Sequence, residues 1–473
     1  MWQLGIMPSP APRAAIAAAV ALAAPAPLTA QALSPAETAA VDKVVADALA
    51  ATATPSAQVA IVRGGKVVLV KAYGTQATGA PARTDAPYQI ASISKQFTAA
   101  ALLLLEDDGK LSMDDTVAKW LPGISGGDTI TIRQLLSHTA GLQDYWPQDY
   151  SFAAMEKPTS PMGIVDRWAK KPLDFAPGTQ WQYSNTGYVV AGLIAEKAAG
   201  EPLMTFFQRR VFAPLGITAI DQDKAVGGRF PVGYHRNALG PVRAAPPPAE
   251  GWLFAAGELS MSAGDLAKWD VARMNRSLMP ADDWAAQEKP VLLSDGSTTN
   301  YGLGVSLGKR AGVSYVEHSG EAVGFLSENI VFPAQKAAIV VLTNADFGDA
   351  FVTIARGLEK IVLPVDADAA EAAKTRGARA MFDSLRNGTL DRRLLTANAS
   401  YYFTPQVLAD YRSSLTPLGA PTAFELAGQK RLRGGFVQRR YTVTYPDRKL
   451  SIATFAEPDG AERYEQFLVF PAN

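Results

Sequence analysis

The chain has 473 residues, 48% of them apolar and 19% charged, the make-up of a soluble globular protein too long for one ordinary core. Its 45 basic and 45 acidic side chains balance, so the charge gives no sign of capture by nucleic acid or an anionic lipid surface. Cysteine is absent, which excludes a disulfide frame, a cysteine nucleophile and a thiolate metal site.

Arg13 precedes an apolar run, Ala14 to Ala24, followed by a Pro-containing stretch and the small-residue site Ala30-Gln31-Ala32. That order predicts a secretory signal peptide over 1–32, cleaved near Ala32, and a periplasmic or secreted bacterial protein. The run is too short to serve as a stable membrane anchor. Ser34-Pro35-Ala36-Glu37 forms a capping box that opens a helix to Leu49, with Val41, Val44 and Val45 at helical spacing. Residues 58–63 and 66–72 read as a hairpin around Gly64-Gly65. A helix starts at Ser92, continues through the apolar residues 99–105 and stops near Asp108-Gly109; another runs from Thr131 through Leu136. Residues 143–161, with Tyr145, Trp146, Tyr150 and Phe152, read as a long loop, either overhanging a site or an ordinary surface loop.

Further helices are predicted from Tyr188 to Ala199, ended by Gly200, and after Ser262 through Leu266, Trp269 and Val271. The period then changes to that of strands at 313–317, 325–332 and 337–342, before a helix over 350–361. Helices enclosed between terminal strands predict an α+β domain over 33–363, its antiparallel sheet covered by helices. The Ala/Asp/Glu-rich stretch 364–374 reads as a linker. Residues 375–473 then start afresh, with helices through Met381, Phe382 and Leu385 and over 405–411, followed by alternating strands. That order predicts a small C-terminal α+β domain whose pattern resembles the nuclear-transport-factor-like fold. Arg431, Arg433, Arg439 and Arg440 read as a solvated strand face.

The chemistry centres on Ser92-Ile93-Ser94-Lys95. Residues three apart share a helix face, so the Lys95 amine reaches the Ser92 hydroxyl. The first helical turn also offers unpaired backbone N–H groups where negative charge develops. His138, His235 and His318 stand far apart without ligand spacing, so no metal and no cofactor is expected.

Three other stretches carry a family resemblance. Leu135-Leu136-Ser137-His138-Thr139-Ala140-Gly141-Leu142 resembles a segment of serine hydrolases related to class C β-lactamases and DD-peptidases. Tyr183-Ser184-Asn185 resembles that family's Tyr-x-Asn motif, and His318-Ser319-Gly320 its third motif. The resemblance implies the β-lactamase/transpeptidase-like fold, an antiparallel sheet flanked by helices plus an all-α subdomain. It implies that Ser92 forms an acyl-enzyme, with Lys95 or Tyr183 as base, Asn185 orienting Lys95, and His318 beside Tyr183. Ser319, Gly320 and Glu321 would contact substrate, the N–H groups of Ser92 and Glu321 forming the oxyanion hole. His138 is expected to organise its loop. The implied partner is a small-molecule or short-peptide ester or amide, with the oligomeric state open. A penicillin-binding sensor that acylates but turns over poorly is the alternative.

Overall fold

The structure, a computed structural model, describes residues 32–148, 150–227, 229–310, 313–363, 369–458 and 463–472. The signal peptide expected over 1–32 lies outside the described residues except for Ala32. The chain divides into two compact units, meeting in sequence at Leu363–Pro364.

In the first unit the Ser34 hydroxyl accepts the Glu37 N–H and the Glu37 carboxylate accepts the Ser34 N–H. Helix α1 (Pro35–Thr52) therefore starts where the capping box predicts. Strand β1 (Ser56–Arg63) is buried along its whole length, and Gly64 and Gly65, both at positive φ, turn it into β2 (Lys66–Ala77). A short β3 (Ala80–Pro81) and four late strands complete the sheet: β4 (Ser306–Arg310), β5 (Val313–Ala322), β6 (Phe325–Phe332) and β7 (Ala337–Thr343). Their order is β3-β2-β1-β7-β6-β5-β4, every pair antiparallel. The N- and C-terminal parts of the unit thus meet where β1 pairs with β7, Val59 opposite Val341.

Both sheet faces are covered. On one, Val41 and Val45 of α1 join Ile354 and Leu358 of helix Ala350–Val362 over Val59, Ile61, Ile339 and Val341. On the other, Ala60, Val62, Val340 and Leu342 belong to the larger core with the central helix α2 (Lys95–Asp107). Every α2 residue from Lys95 to Leu105 is buried, so its Ala/Leu run packs all round. Helix α3 (Asn185–Ala199) lies against it within the all-α part, while helix Ala263–Asn275 covers this face of the sheet over β1, β2 and β7.

Three local departures from the sequence reading have physical causes. Ser92 sits in a 3-10 turn, Ala91–Ser94, and the α-helix begins only at Lys95. Ala91 enters that turn at φ +48°, a left-handed conformation that costs a non-glycine residue about 1 kcal/mol. Strand β5 runs to Ala322, five residues past its predicted end, because β6 pairs with it as far as Ala322↔Phe325. In the second unit a helix, Ala369–Arg386, occupies part of the expected linker: its Ala, Glu and Lys residues are strong helix formers.

That second unit continues with helices Ala397–Tyr402 and Pro405–Leu415 and a four-stranded antiparallel meander, Ala423–Arg433, Phe436–Thr444, Lys449–Ala456 and Tyr464–Pro471. Met381, Phe382 and Leu385 form its core with Tyr441, Val443, Ile452 and Phe467. One basic side chain corrects the expectation of a solvated face. Arg439 is buried on the core side and bonded to the equally buried Glu371, while Arg431, Arg433 and Arg440 are exposed. Alternation placed Arg439 on the same face as Tyr441 and Val443, but it could not reveal that a carboxylate waits there.

Candidate active site

The 3-10 turn matters because residues three apart stack directly above one another in it. Lys95 Nζ lies 3.0 Å from Ser92 Oγ. Its other two neighbours are neutral acceptors, Asn185 Oδ1 at 2.8 Å and the Ala256 carbonyl at 2.7 Å. Asn185 is the first residue of α3, delivered by Ser184, whose hydroxyl caps the helix by accepting the Gly187 N–H. Burial pushes the Lys95 amine down to about 7, against the pull of the Asp144 carboxylate, which favours its charged form.

Asp144 is a residue the sequence reading passed over. One carboxylate oxygen accepts the Asn185 backbone N–H at 3.0 Å and the other accepts Asn185 Nδ2 at 3.2 Å. With Nδ2 so engaged, Oδ1 is the atom left for Lys95, and the amide orientation is fixed. Asp144 stands just after the His-Thr-Ala-Gly-Leu stretch, in the aromatic loop, and an acidic residue there was the one available signal. The loop has both of the expected characters. Asp144, Trp146, Pro147 and Gln148 line the cavity, whereas Phe152 packs on Trp168 and Trp252.

Tyr183 faces the Ser92 hydroxyl, and Lys95 Nζ lies 4.8 Å from its ring centre. Burial raises the Tyr183 phenol well above its ordinary value; the bond with Ser92 offsets this in part and Asp144 adds to it. His318 is buried behind. Its Nδ1 lies 2.6 Å from the Ser319 carbonyl, which can only accept, so Nδ1 carries the proton and Nε2 accepts the Tyr301 hydroxyl at 2.9 Å. Burial, then the nearby Lys95, holds His318 down at about 3, so the ring is neutral at physiological pH. Tyr301 has no motif around it, and only the fold brings it to His318.

The third-motif strand comes in against the Ser92 turn. At Gly320 an added Cβ would lie 2.1 Å from the Ile90 carbonyl oxygen and 2.3 Å from Ser327 Oγ, so only glycine permits this approach. The ladder between β5 and β4 ends at Glu317↔Ser306, leaving the following residues of β5 without that strand neighbour. Glu321 then lines the cavity, while the Ser319 side chain is exposed and outside the lining.

The cavity holds about 350 Å³ and is lined by Ser92, Tyr183, Asn185 and Glu321, with Lys95 and His318 behind its wall. Three carboxylates border it, Asp144, Glu321 and Asp346; Trp146, Leu253, Ala322 and Val323 supply apolar surface. No lysine, arginine or histidine is in the lining among the described residues.

His138 proves closer to this centre than its segment suggested. It is buried at φ +61°, its Nδ1 accepts the Ser184 N–H at 3.1 Å, and its ring centre lies 4.2 Å from that of Tyr183.

The chain is similar to penicillin-binding protein 4* of Bacillus subtilis (strain 168), 29% identical over 56% of this chain and 62% of the relative. It is 33% identical to esterase EstB of Burkholderia gladioli, over 46% of this chain and 59% of the esterase. It thus spans about three fifths of the length of these relatives. Among solved structures, a D-stereospecific amidohydrolase from Streptomyces sp. superposes with a TM-score of 0.59 at 27% identity, covering 69% of this chain and 98% of that one. Residues 41–363, more than half of the chain, match the Beta-lactamase family, and the chain belongs to that family.

Proposed function

We propose that the chain is an exported serine hydrolase that cleaves esters or amides through an acyl-enzyme on Ser92. The observation that carries this reading is the arrangement of Lys95. Two neutral acceptors, Asn185 Oδ1 and the Ala256 carbonyl, take two N–H bonds of a neutral amine, which leaves its lone pair for the Ser92 hydroxyl. A phenol raised by burial stays protonated at neutral pH, so Tyr183 is present with a proton to give and not as a phenolate, whereas Lys95 is readily neutral; the division of labour follows, with Lys95 the base and Tyr183 the acid.

In acylation Lys95 takes the Ser92 proton while Oγ bonds to the substrate carbonyl carbon. The oxyanion accepts the backbone N–H groups of Ser92 and Glu321. Collapse breaks the bond to the alcohol or amine, which leaves with the Tyr183 proton, and the proton held by Lys95 restores the phenol. Water then attacks the acyl ester, its proton passes to the same base, and Ser92 leaves with a proton regained. Neutral His318 positions the strand end and Tyr301 but brings no positive charge. The third-motif position therefore offers no cation to a substrate carboxylate, and three carboxylates border the cavity. Neutral or amine-bearing esters and amides fit this lining better than substrates ending in a free carboxylate.

For residues after 374 the nuclear-transport-factor-like reading rests on the order of helices followed by four antiparallel strands. A crystal structure showing that sheet flat, not curved around the helix Ala369–Arg386, would remove it. Export is tested by the mass of the secreted protein, expected to start just after Ala32.

The activity is tested by incubating the protein with a short-chain p-nitrophenyl ester, a D-alanyl amide, a D-Ala-D-Ala peptide and a penicillin, following product and intact mass together. An acyl adduct on the peptide containing Ser92 is expected, with ester and amide turned over faster than the free acid. Ser92→Ala should abolish both turnover and labelling by a fluorophosphonate. Labelling that persists in that variant, at Ser94 for instance, would place the nucleophile elsewhere.

A further inference from the structure

Tyr183 is held by its neighbours in sequence. The Gln182 N–H donates to the His138 carbonyl at 3.0 Å and the Ser184 N–H donates to His138 Nδ1 at 3.1 Å. One residue thus tethers the chain immediately before and immediately after Tyr183. The adjoining Thr139 carbonyl takes a third backbone bond, from the Gly178 N–H at 2.8 Å. The imidazole also lies against the Tyr183 ring, 4.2 Å between centres at 34°, with the rings of Tyr301 and Tyr188 at 4.9 and 5.2 Å.

Because Nδ1 accepts, the ring proton is on Nε2. That atom is buried without a hydrogen-bond partner, inside walls made largely of aromatic rings. A buried N–H facing only π surfaces is a poor bargain for stability. Phenylalanine would fill the same aromatic space without an orphan proton. Asparagine would accept the Ser184 N–H and tolerates the left-handed backbone that His138 adopts at φ +61°. Histidine alone combines the flat ring under Tyr183 with the acceptor beside Ser184. Packing accounts for a ring at this position but not for the acceptor that goes with it.

We infer that His138 is a positioning residue for Tyr183, fixing the phenol over Ser92 through the two backbone tethers and the stacked ring. This rests on the acid role given above to Tyr183. A displacement of the phenol of about 1 Å is enough to cost up to ~100-fold in rate. His138 is not itself among the residues lining the cavity and has no described bond to Ser92; it reaches the site through Tyr183 and its neighbours.

The test is a double-mutant cycle in the full-length protein, with kcat and KM for a p-nitrophenyl ester and thermal unfolding as readouts. His138→Phe keeps a ring and loses the acceptor; His138→Asn keeps an acceptor and loses the ring. Each is expected to lower kcat by at least ~10-fold with KM changed less than ~3-fold. In a Tyr183→Phe background the same substitutions should lower kcat by less than ~3-fold, because their effect runs through the missing hydroxyl. Losses that multiply in the Tyr183→Phe background, or an unchanged kcat in either folded variant, overturn the inference. If His138→Phe fails to fold, the His138→Asn cycle decides alone by the same criterion. A Tyr183→Phe protein with normal kcat would instead refute the acid role of Tyr183, and the inference with it.

Discussion

Two of the buried cations, Arg439 in the second unit and Lys95 in the first, are treated in opposite ways. Arg439 in the second unit is clamped by Glu371, both side chains 6% exposed, with Lys430 on the same carboxylate at 3.2 Å. The pair keeps its charges, and the arginine bond in particular holds the Glu371 carboxyl down at about 2. Lys95 in the first unit is buried as deeply, but its direct partners are an amide oxygen, a backbone carbonyl and a hydroxyl. Its nearest opposing charge, Asp144, is directed onto Asn185, so the amine drops to about 7. A buried cation with a carboxylate on it is structure; one held by neutral acceptors is free to trade its proton. The difference separates the chemistry of the first unit from the architecture of the second.

The widest gap between the two should appear on removing each cation. Lys95→Met is expected to lower turnover of a p-nitrophenyl ester by at least ~1000-fold, since both the base and the lever on Ser92 are lost. Its unfolding midpoint should move by only a few degrees, because the relief of burying an amine opposes the loss of its hydrogen bonds. Calorimetry beside steady-state kinetics checks both halves. A folded Lys95→Met protein with more than a tenth of wild-type turnover would break the comparison from the catalytic side.

Glu371→Gln should do the reverse. Turnover at Ser92 is expected to stay within twofold, while the second unit loses about 3 kcal/mol of stability at neutral pH, the value of a carboxyl lowered from 4.5 to about 2. The sign follows from the folded carboxyl being depressed: the contribution is full above pH 4.5 and fades as pH falls toward 2. Urea unfolding of wild type and variant should therefore differ at pH 7 and converge near pH 2. A constant difference across that range would mean that the stability of the pair is not electrostatic.

Much of the first unit was legible in sequence for reasons these residues make plain. Ser92 and Lys95 belong to one turn, and Tyr183 and Asn185 to the mouth of one helix, so local spacing already carried their proximity. The Ala256 carbonyl, Asp144 and Tyr301 reach the site through folding of distant segments, and a backbone carbonyl leaves no mark on residue choice. Glycine at position 320 was visible as part of a motif, but its cause, the passage of the strand against the Ile90 carbonyl, is tertiary. In the second unit, alternation grouped Arg439 with Tyr441 and Val443, yet burial and pairing with Glu371 depended on a helix that the composition disguised as a linker.

Smaller shifts sharpen the account of Lys95. Asp144 opposes the fall in its proton affinity, so Asp144→Asn should move the acid limb of the rate profile downward by less than about one pH unit. A limb that moves upward, or does not move, would detach Asp144 from Lys95.

The most direct test of the central claim is the pH dependence of acylation itself, measured as the burst rate of a neutral p-nitrophenyl ester between pH 5 and 10. His318 and His138 are both held neutral by burial, with Lys95 as a further cause, so neither imidazole supplies a limb near neutrality. The rate is expected to rise through a single apparent pKa near 7 and then stay flat, as Lys95 gives up its proton and becomes the base. A rise centred above pH 9, or no rise at all, would contradict this, because Lys95 would then remain an ammonium and some other group would take the Ser92 proton.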